Sequence, residues 1–348
     1  MFTVPTAVEL LDYPIAVPAD FLGVNAPDFS QTALKFKHGR IHDMRVRWCD
    51  IERVKGQFNW APLDSIMAAA GNMSCSYVFG GTAPWAAKST AIVDEYGAPG
   101  GSTMPTDVND AANFLAALIA RYPGKFNSIQ AWGEITPGYW DSTPEELVTL
   151  VGRLREAAKA AGIKFLSPAF SNIPTLAARY LSARSMAGVY GWQSHDVFCV
   201  NPYTSTAWPV NGKDDIAWTE ASGIERIKCI LTGLSGNQAP PIHVTEWGIA
   251  PTISDSRLVA FLALPAYERK KAVARMLVRA LTLGVQRFNL YSHCNGLCGD
   301  LLQDVAGVIA ACNEFAAFAL GKTVISVTTD PTGRMVATRA DGAQLVTP

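Results

Sequence analysis

The chain has 348 residues, 49% of them hydrophobic and 17% charged, which is enough apolar material for one large core. Its 29 basic and 30 acidic residues leave a net charge of −1, which argues against a nucleic-acid partner and against a strongly electrostatic membrane role. No apolar run is long enough to span a bilayer. The N-terminus lacks the basic start and apolar stretch of a signal peptide, so the expectation is a cytoplasmic chain or one whose leader has been removed.

Strand-like and helix-like segments alternate along the chain. Short apolar runs at 21–25, 44–50, 75–79, 128–132, 164–167, 196–200, 242–245 and 287–291 predict eight strands. The clearest helix is predicted over 144–161. Thr143 is a good N-cap, Pro144 suits the first helical position and Glu146 completes a capping box. Leu147, Leu150, Val151 and Leu154 recur at helical spacing, and Gly162 supplies the stop. Segments 62–70, 107–122 and 268–283 carry similar patterns. Strand–helix alternation implies parallel strands, and eight units predict a closed (β/α)8 TIM barrel over residues 1–320. No Gly-x-Gly-x-x-Gly follows the first strand, so the dinucleotide-binding alternative lacks its fingerprint. The tail at 321–348 changes character. Runs at 324–328 and 335–339 flank a turn at Asp330-Pro-Thr-Gly and predict a short C-terminal β appendage.

Seven cysteines leave an odd count. Cys49, Cys75, Cys199 and Cys229 sit in apolar runs and are expected to be reduced core residues. Cys294 and Cys298 are spaced for a local disulfide or part of a metal site, but beyond His293 no further ligand clusters with them. With five histidines and no His-x-His pair, no metal and no cofactor are expected.

Two of the predicted strands run into a glutamate. The segment 128–134 ends Ala131-Trp-Gly-Glu134, and 241–248 reads Pro-Ile-His-Val-Thr-Glu246-Trp-Gly. In TIM barrels the active site lies at the C-terminal ends of the strands. A carboxylate there is able to attack or stabilise an oxocarbenium-like centre, and paired carboxylates are what glycosidic cleavage requires.

At this point the sequence resembles clan A glycoside hydrolases, retaining (β/α)8 enzymes with glutamates at the ends of strands four and seven. Segments 44–60, 77–86, 131–140 and 244–248, together with Asn201-Pro-Tyr203, carry the resemblance. Segments 77–86 and 131–140 are most similar to glycoside hydrolase family 39, which holds β-xylosidases, α-L-iduronidases and exopolysaccharide-cleaving relatives. The resemblance implies Glu246 as nucleophile and Glu134 as acid/base. A retaining pair needs carboxyls about 5–5.5 Å apart, one ionised and one protonated. Trp132, Trp140 and Trp247 are candidates for an apolar wall against Glu134, and Tyr203 and Arg45 for donors to Glu246. Trp85, Asn201, His293 and Asn295 complete the expected substrate-binding set.

The clan places Asn immediately before the acid/base, where it hydrogen-bonds the sugar 2-hydroxyl; Gly133 stands there in this chain. Either the site admits a bulkier 2-substituent or another strand supplies the donor, with Asn201 as the candidate. Long loops at 87–106 and 204–222 are expected to shape an open cleft for an oligo- or polysaccharide. Two other classes stay open: a carbohydrate-binding barrel without turnover, and a metal-dependent barrel hydrolase.

Overall fold

The computed structural model describes residues 13–25, 36–171, 174–203, 215–236, 239–248, 263–291, 307–330 and 334–347. Its strands are β1 (Ile15–Ala16), β2 (Leu22–Asn25), β3 (His38–Ile41), β4 (Ser74–Val78), β5 (Phe126–Gln130), β6 (Lys164–Ser171), β7 (Val197–Asn201), β8 (Ile242–Trp247), β9 (Val285–Tyr291), β10 (Thr323–Thr329), β11 (Met335–Arg339) and β12 (Gln344–Val346). The helices are α1 (Trp48–Ile51), α2 (Ala61–Ala70), α3 (Val108–Arg121), α4 (Pro144–Ala160), α5 (Pro174–Ser182), α6 (Asp215–Ser235), α7 (Ala266–Thr282) and α8 (Val308–Ala319). Strands β2 to β9 form a closed barrel in sequence order, the (β/α)8 architecture that the alternation predicts. Parallel pairing is explicit at β4–β5, β5–β6 and β8–β9, and β2 pairs with β9 through Leu22↔Phe288 and Val24↔Leu290. Among the described residues no helix is long and apolar enough to cross a membrane.

The chain divides into two compact units, one built mainly from Arg40–Cys199 with Ile230–Pro240, the other from Pro5–Gly39, Val200–Cys229 and Pro241–Pro348. In the first, α4 shows why local sequence suffices. Thr143 Oγ1 accepts from Glu146 N at 3.2 Å, and Glu146 Oε2 accepts from Thr143 N at 2.9 Å. Leu147, Leu150, Val151 and Leu154 are fully buried on its inner stripe. Each such side chain contributes about 1.5–3 kcal/mol when removed from water. In the second unit, Phe21, Val273, Leu277, Phe288 and Leu290 are equally buried.

One strand assignment needs correction. The run 44–50 is not a strand; the second barrel strand is β3, His38–Ile41. The alternation of Val46 and Trp48 mimics a period of two, but Asp43 and Arg45 take φ values of 59° and 54°, which breaks an extended chain. Trp48 N and Cys49 N then bond to the carbonyls of Gly80 and Gly81 at 3.0 and 2.8 Å, and helix α1 begins. β3 escapes detection because His, Gly and Arg are weak strand formers; inside the fold, the buried Arg40 donates from Nε to Gln130 Oε1 at 2.8 Å. The expected loop 204–222 is also revised, since α6 starts at Asp215.

The C-terminal runs form the antiparallel pair β10–β11, with Val327↔Ala337 in register. Two short strands flank that pair. β12 pairs with β11, and β1, from the other end of the chain, pairs with β10 through Ile15↔Val324. Cys49, Cys75, Cys199 and Cys312 are buried free thiols, and Cys229 is half-buried and also free. Burial pushes Cys75 up to about 11 and Cys312 up to about 12, so neither forms a reactive thiolate. Cys294 and Cys298 lie outside the described residues.

His195 sits between the rings of Tyr180 and Phe198, with centroids 6.1 and 5.6 Å away. Burial lowers its pKa to about 3; the charge of Arg155 adds to this and Asp196 opposes it. The folded value lies below the unfolded one, so the folded state loses nothing above pH 6.5. Below that, the unfolded chain binds a proton that the folded chain refuses, at about 1.4 kcal/mol per pH unit. His195→Leu is therefore expected to flatten the fall in melting temperature between pH 6.5 and pH 4. An unchanged acid slope in that variant would show that His195 does not carry this linkage.

Candidate active site

Glu134 lies four residues beyond β5, and its approach is fixed by bonds from both sides. Gln130 accepts from Arg40 and donates from Nε2 to Trp132 O at 2.9 Å. Ala131 N bonds to Leu166 O at 3.0 Å, Ala169 N bonds to Gly133 O at 2.7 Å, and Glu134 itself forms an isolated parallel bridge with Ala169. The backbone carrying the carboxylate is thus pinned to β6 rather than left as a free loop. Glu134 is half-buried.

A cleft with about 330 Å³ of space between atoms, part of it open to solvent, lies in this unit beside Trp132 and Gly133. Trp132 is buried, with Nε1 bonded to Tyr139 O at 2.9 Å. Trp140 meets it edge to face at 5.0 Å and backs it from behind. The opposite wall comes from the segment 87–106. Arg47 donates to Asp94 Oδ2 at 2.5 Å and to Asp50 Oδ2 at 3.0 Å, and its guanidinium lies 4.5 Å from the Tyr96 ring centroid. Gly101 makes this possible: a Cβ there would lie 2.2 Å from Asp94 Oδ2. Tyr96 packs edge-on to Tyr139 at 5.8 Å, and its hydroxyl donates to Asp43. The Arg47–Asp94 pair and the Tyr96–Asp43 bond hold segment 87–106 against the cleft as a wall.

Glu246 is built by the second unit. All six residues of β8 are buried, and Glu246 is 5% exposed. The Tyr203 hydroxyl donates to Glu246 Oε2 at 2.7 Å. Tyr203 is aimed by the turn that ends β7, where its N–H bonds to Asn201 O at 3.0 Å, and by edge-to-face contact with Tyr291 at 6.0 Å. Asn201 is fully buried, and its Oδ1 accepts from Thr245 Oγ1 at 2.6 Å. The Tyr203 hydroxyl thus fixes the direction of this carboxylate.

The remaining expected residues fall in different places. Arg45 is exposed and does not line the cleft beside Trp132; Arg47 does. Trp85 is half-buried, bonds through Nε1 to Glu52 O at 2.8 Å, and carries Lys55 Nζ over its ring at 4.9 Å. Trp247 is fully buried against Phe288, with ring centroids 5.8 Å apart. His293 and Asn295 lie outside the described residues. Sequence reasoning missed His42, Asp94, Tyr96 and Tyr139. A correct second strand would have flagged His42, which directly follows β3; Asp94 and Tyr96 depend on how 87–106 folds back, and Tyr139 lies in segment 131–140, where Tyr96 packs against it.

No protein-family model and no curated protein matches the sequence. Solved structures do resemble the fold. A glucosidase from Croceicoccus marinus superposes with a TM-score of 0.64 at 10% identity, over 98% of this chain and 75% of that one. A glycoside hydrolase family 44 xyloglucanase from Paenibacillus polymyxa gives 0.54 at 14% identity, over 94% and 82%. Xylanase 10B from Thermotoga maritima gives 0.54 at 12% identity, over 86% and 95%. At these identities the likeness is one of fold.

Proposed function

We propose that the chain is a retaining clan A glycoside hydrolase that cleaves an oligo- or polysaccharide by double displacement. Glu134 protonates the leaving oxygen while Glu246 attacks the anomeric carbon. Water, deprotonated by Glu134, then releases the sugar, and Glu134 regains its proton for the next cycle. The observation that carries this reading is Glu246: a buried strand carboxylate, on the seventh barrel strand, held by the Tyr203 hydroxyl. The position of Glu134 just past the fourth strand supports it, as does the naming of the fold neighbours as glucosidase, xyloglucanase and xylanase. The finer assignment to family 39 rests on segments 77–86 and 131–140 alone.

A panel of activated aryl glycosides and polysaccharides, with product configuration followed by NMR, tests the reading. Turnover with retained configuration is expected. Saccharide binding without turnover on any member would instead support the carbohydrate-binding barrel.

Tyr203→Phe removes one hydrogen bond to a carboxylate and leaves the ring packing on Tyr291 intact. Such bonds contribute about 1.5–3 kcal/mol, so kcat/KM is expected to fall by about 10- to 100-fold. A value within twofold of wild type would remove Tyr203 from the machinery.

A further inference from the structure

We propose that His42 is a substrate-contacting residue of this site, hydrogen-bonding a hydroxyl of the sugar ring bound against Glu134. The inference rests on the glycosidase reading above.

The imidazole lies directly over Gly133, the residue before Glu134. A Cβ built on Gly133 would meet His42 Cε1 at 2.7 Å and Nε2 at 3.0 Å. The glycine is therefore not an empty position. The space that a side chain at 133 would fill holds a hydrogen-bonding ring delivered from another strand, one residue past β3. That ring lines the same cleft as Trp132 and Tyr139.

Its placement is braced rather than incidental. His42 Nε2 lies 3.3 Å from Asp43 Oδ1, and Asp43 also receives the Tyr96 hydroxyl. Tyr77 OH bonds to Val46 O at 2.6 Å, tying the same turn to β4. Asp43 and Arg45 both hold left-handed backbone conformations, which non-glycine residues avoid unless their surroundings impose them. A strained turn, an acid and a tyrosine thus combine to hold one half-buried imidazole beside the backbone of the proposed acid/base. A ring that only filled space would need none of these polar restraints. Held polar groups on a cleft wall are the usual means of orienting a sugar through its hydroxyls.

The contact between His42 and Gly133 gives the test. Gly133 does not occupy the left-handed region, so alanine there causes no backbone strain and acts only by displacing the imidazole tip. His42→Ala, His42→Gln, Gly133→Ala and the double variant His42→Ala/Gly133→Ala are assayed on the aryl glycoside that wild type turns over best, with melting temperatures in parallel. His42→Ala and Gly133→Ala are each expected to lower kcat/KM by about 10- to 100-fold. Melting temperatures should stay near wild type, and His42→Gln, which keeps a donor and an acceptor, should recover part of the loss. The double variant should be no worse than either single one, because both remove the same contact. His42→Ala within twofold of wild type would overturn the inference and leave the glycosidase reading standing. So would losses that multiply in the double variant. A wild type that turns over no member of the panel would remove the glycosidase reading, and this inference with it.

Discussion

Glu246→Gln is expected to lower turnover of aryl glycosides by at least about 10⁴-fold, with the fold retained. The substitution keeps shape and removes charge. The amide oxygen still accepts from Tyr203, which donates at 2.7 Å in the wild-type chain, so neither β8 nor the Asn201–Thr245 pair loses its support. On the proposed mechanism the substitution removes the carboxylate oxygen that would attack the anomeric carbon, and with it the negative charge that would stabilise the developing oxocarbenium ion. The loss therefore reflects chemistry rather than folding. Glu246→Ala sharpens the test, since the shorter side chain leaves room for a small anion. With azide present, attack on the face opposite the leaving group yields a glycosyl azide of inverted configuration. Rates within tenfold of wild type in Glu246→Gln would exclude Glu246 as nucleophile.

What the sequence reveals and hides follows from the range of the interactions. Helix α4 is legible because its signals are local: the Thr143–Glu146 capping box and the Leu147–Leu154 stripe lie within twelve residues and match the structure. β8 is legible because an apolar run needs no partner to be recognised, and Glu246 stands out against it. β3 is not, because His38–Ile41 is a strand through its pairing with the barrel neighbours β2 and β4, and its buried Arg40 finds its partner Gln130 ninety residues away. Misplacing that strand hid His42, and with it the occupant of the space over Gly133. The wall of the cleft is equally long-range. Asp94 is one more acidic loop residue until Arg47 reaches it across 47 positions. The C-terminal pair β10–β11 carries strong β-branched runs, whereas β1 is two residues long and gains its meaning from Val324.

Glu134→Ala is expected to produce a loss that depends on the leaving group, which distinguishes an acid/base from a structural carboxylate. Proton donation matters most when the departing alkoxide is poor, so cleavage of unactivated glycosides should fall by about 10²- to 10⁴-fold. A strongly activated aryl glycoside departs without that proton, and its first step should be nearly unaffected. The second step still needs a base to activate water, so a glycosyl-enzyme accumulates and appears as a burst of phenol followed by slow turnover. Azide needs no base. It should accelerate the slow phase and give a glycosyl azide of retained configuration, the opposite outcome from Glu246→Ala. The backbone at 133–134 is held by the Ala169–Gly133 bond and the Glu134–Ala169 bridge, neither of which uses the carboxyl, so the variant should fold. Equal losses on activated and unactivated substrates, with no burst and no azide response, would return Glu134 to a structural role. Glu246 would then need a different proton donor.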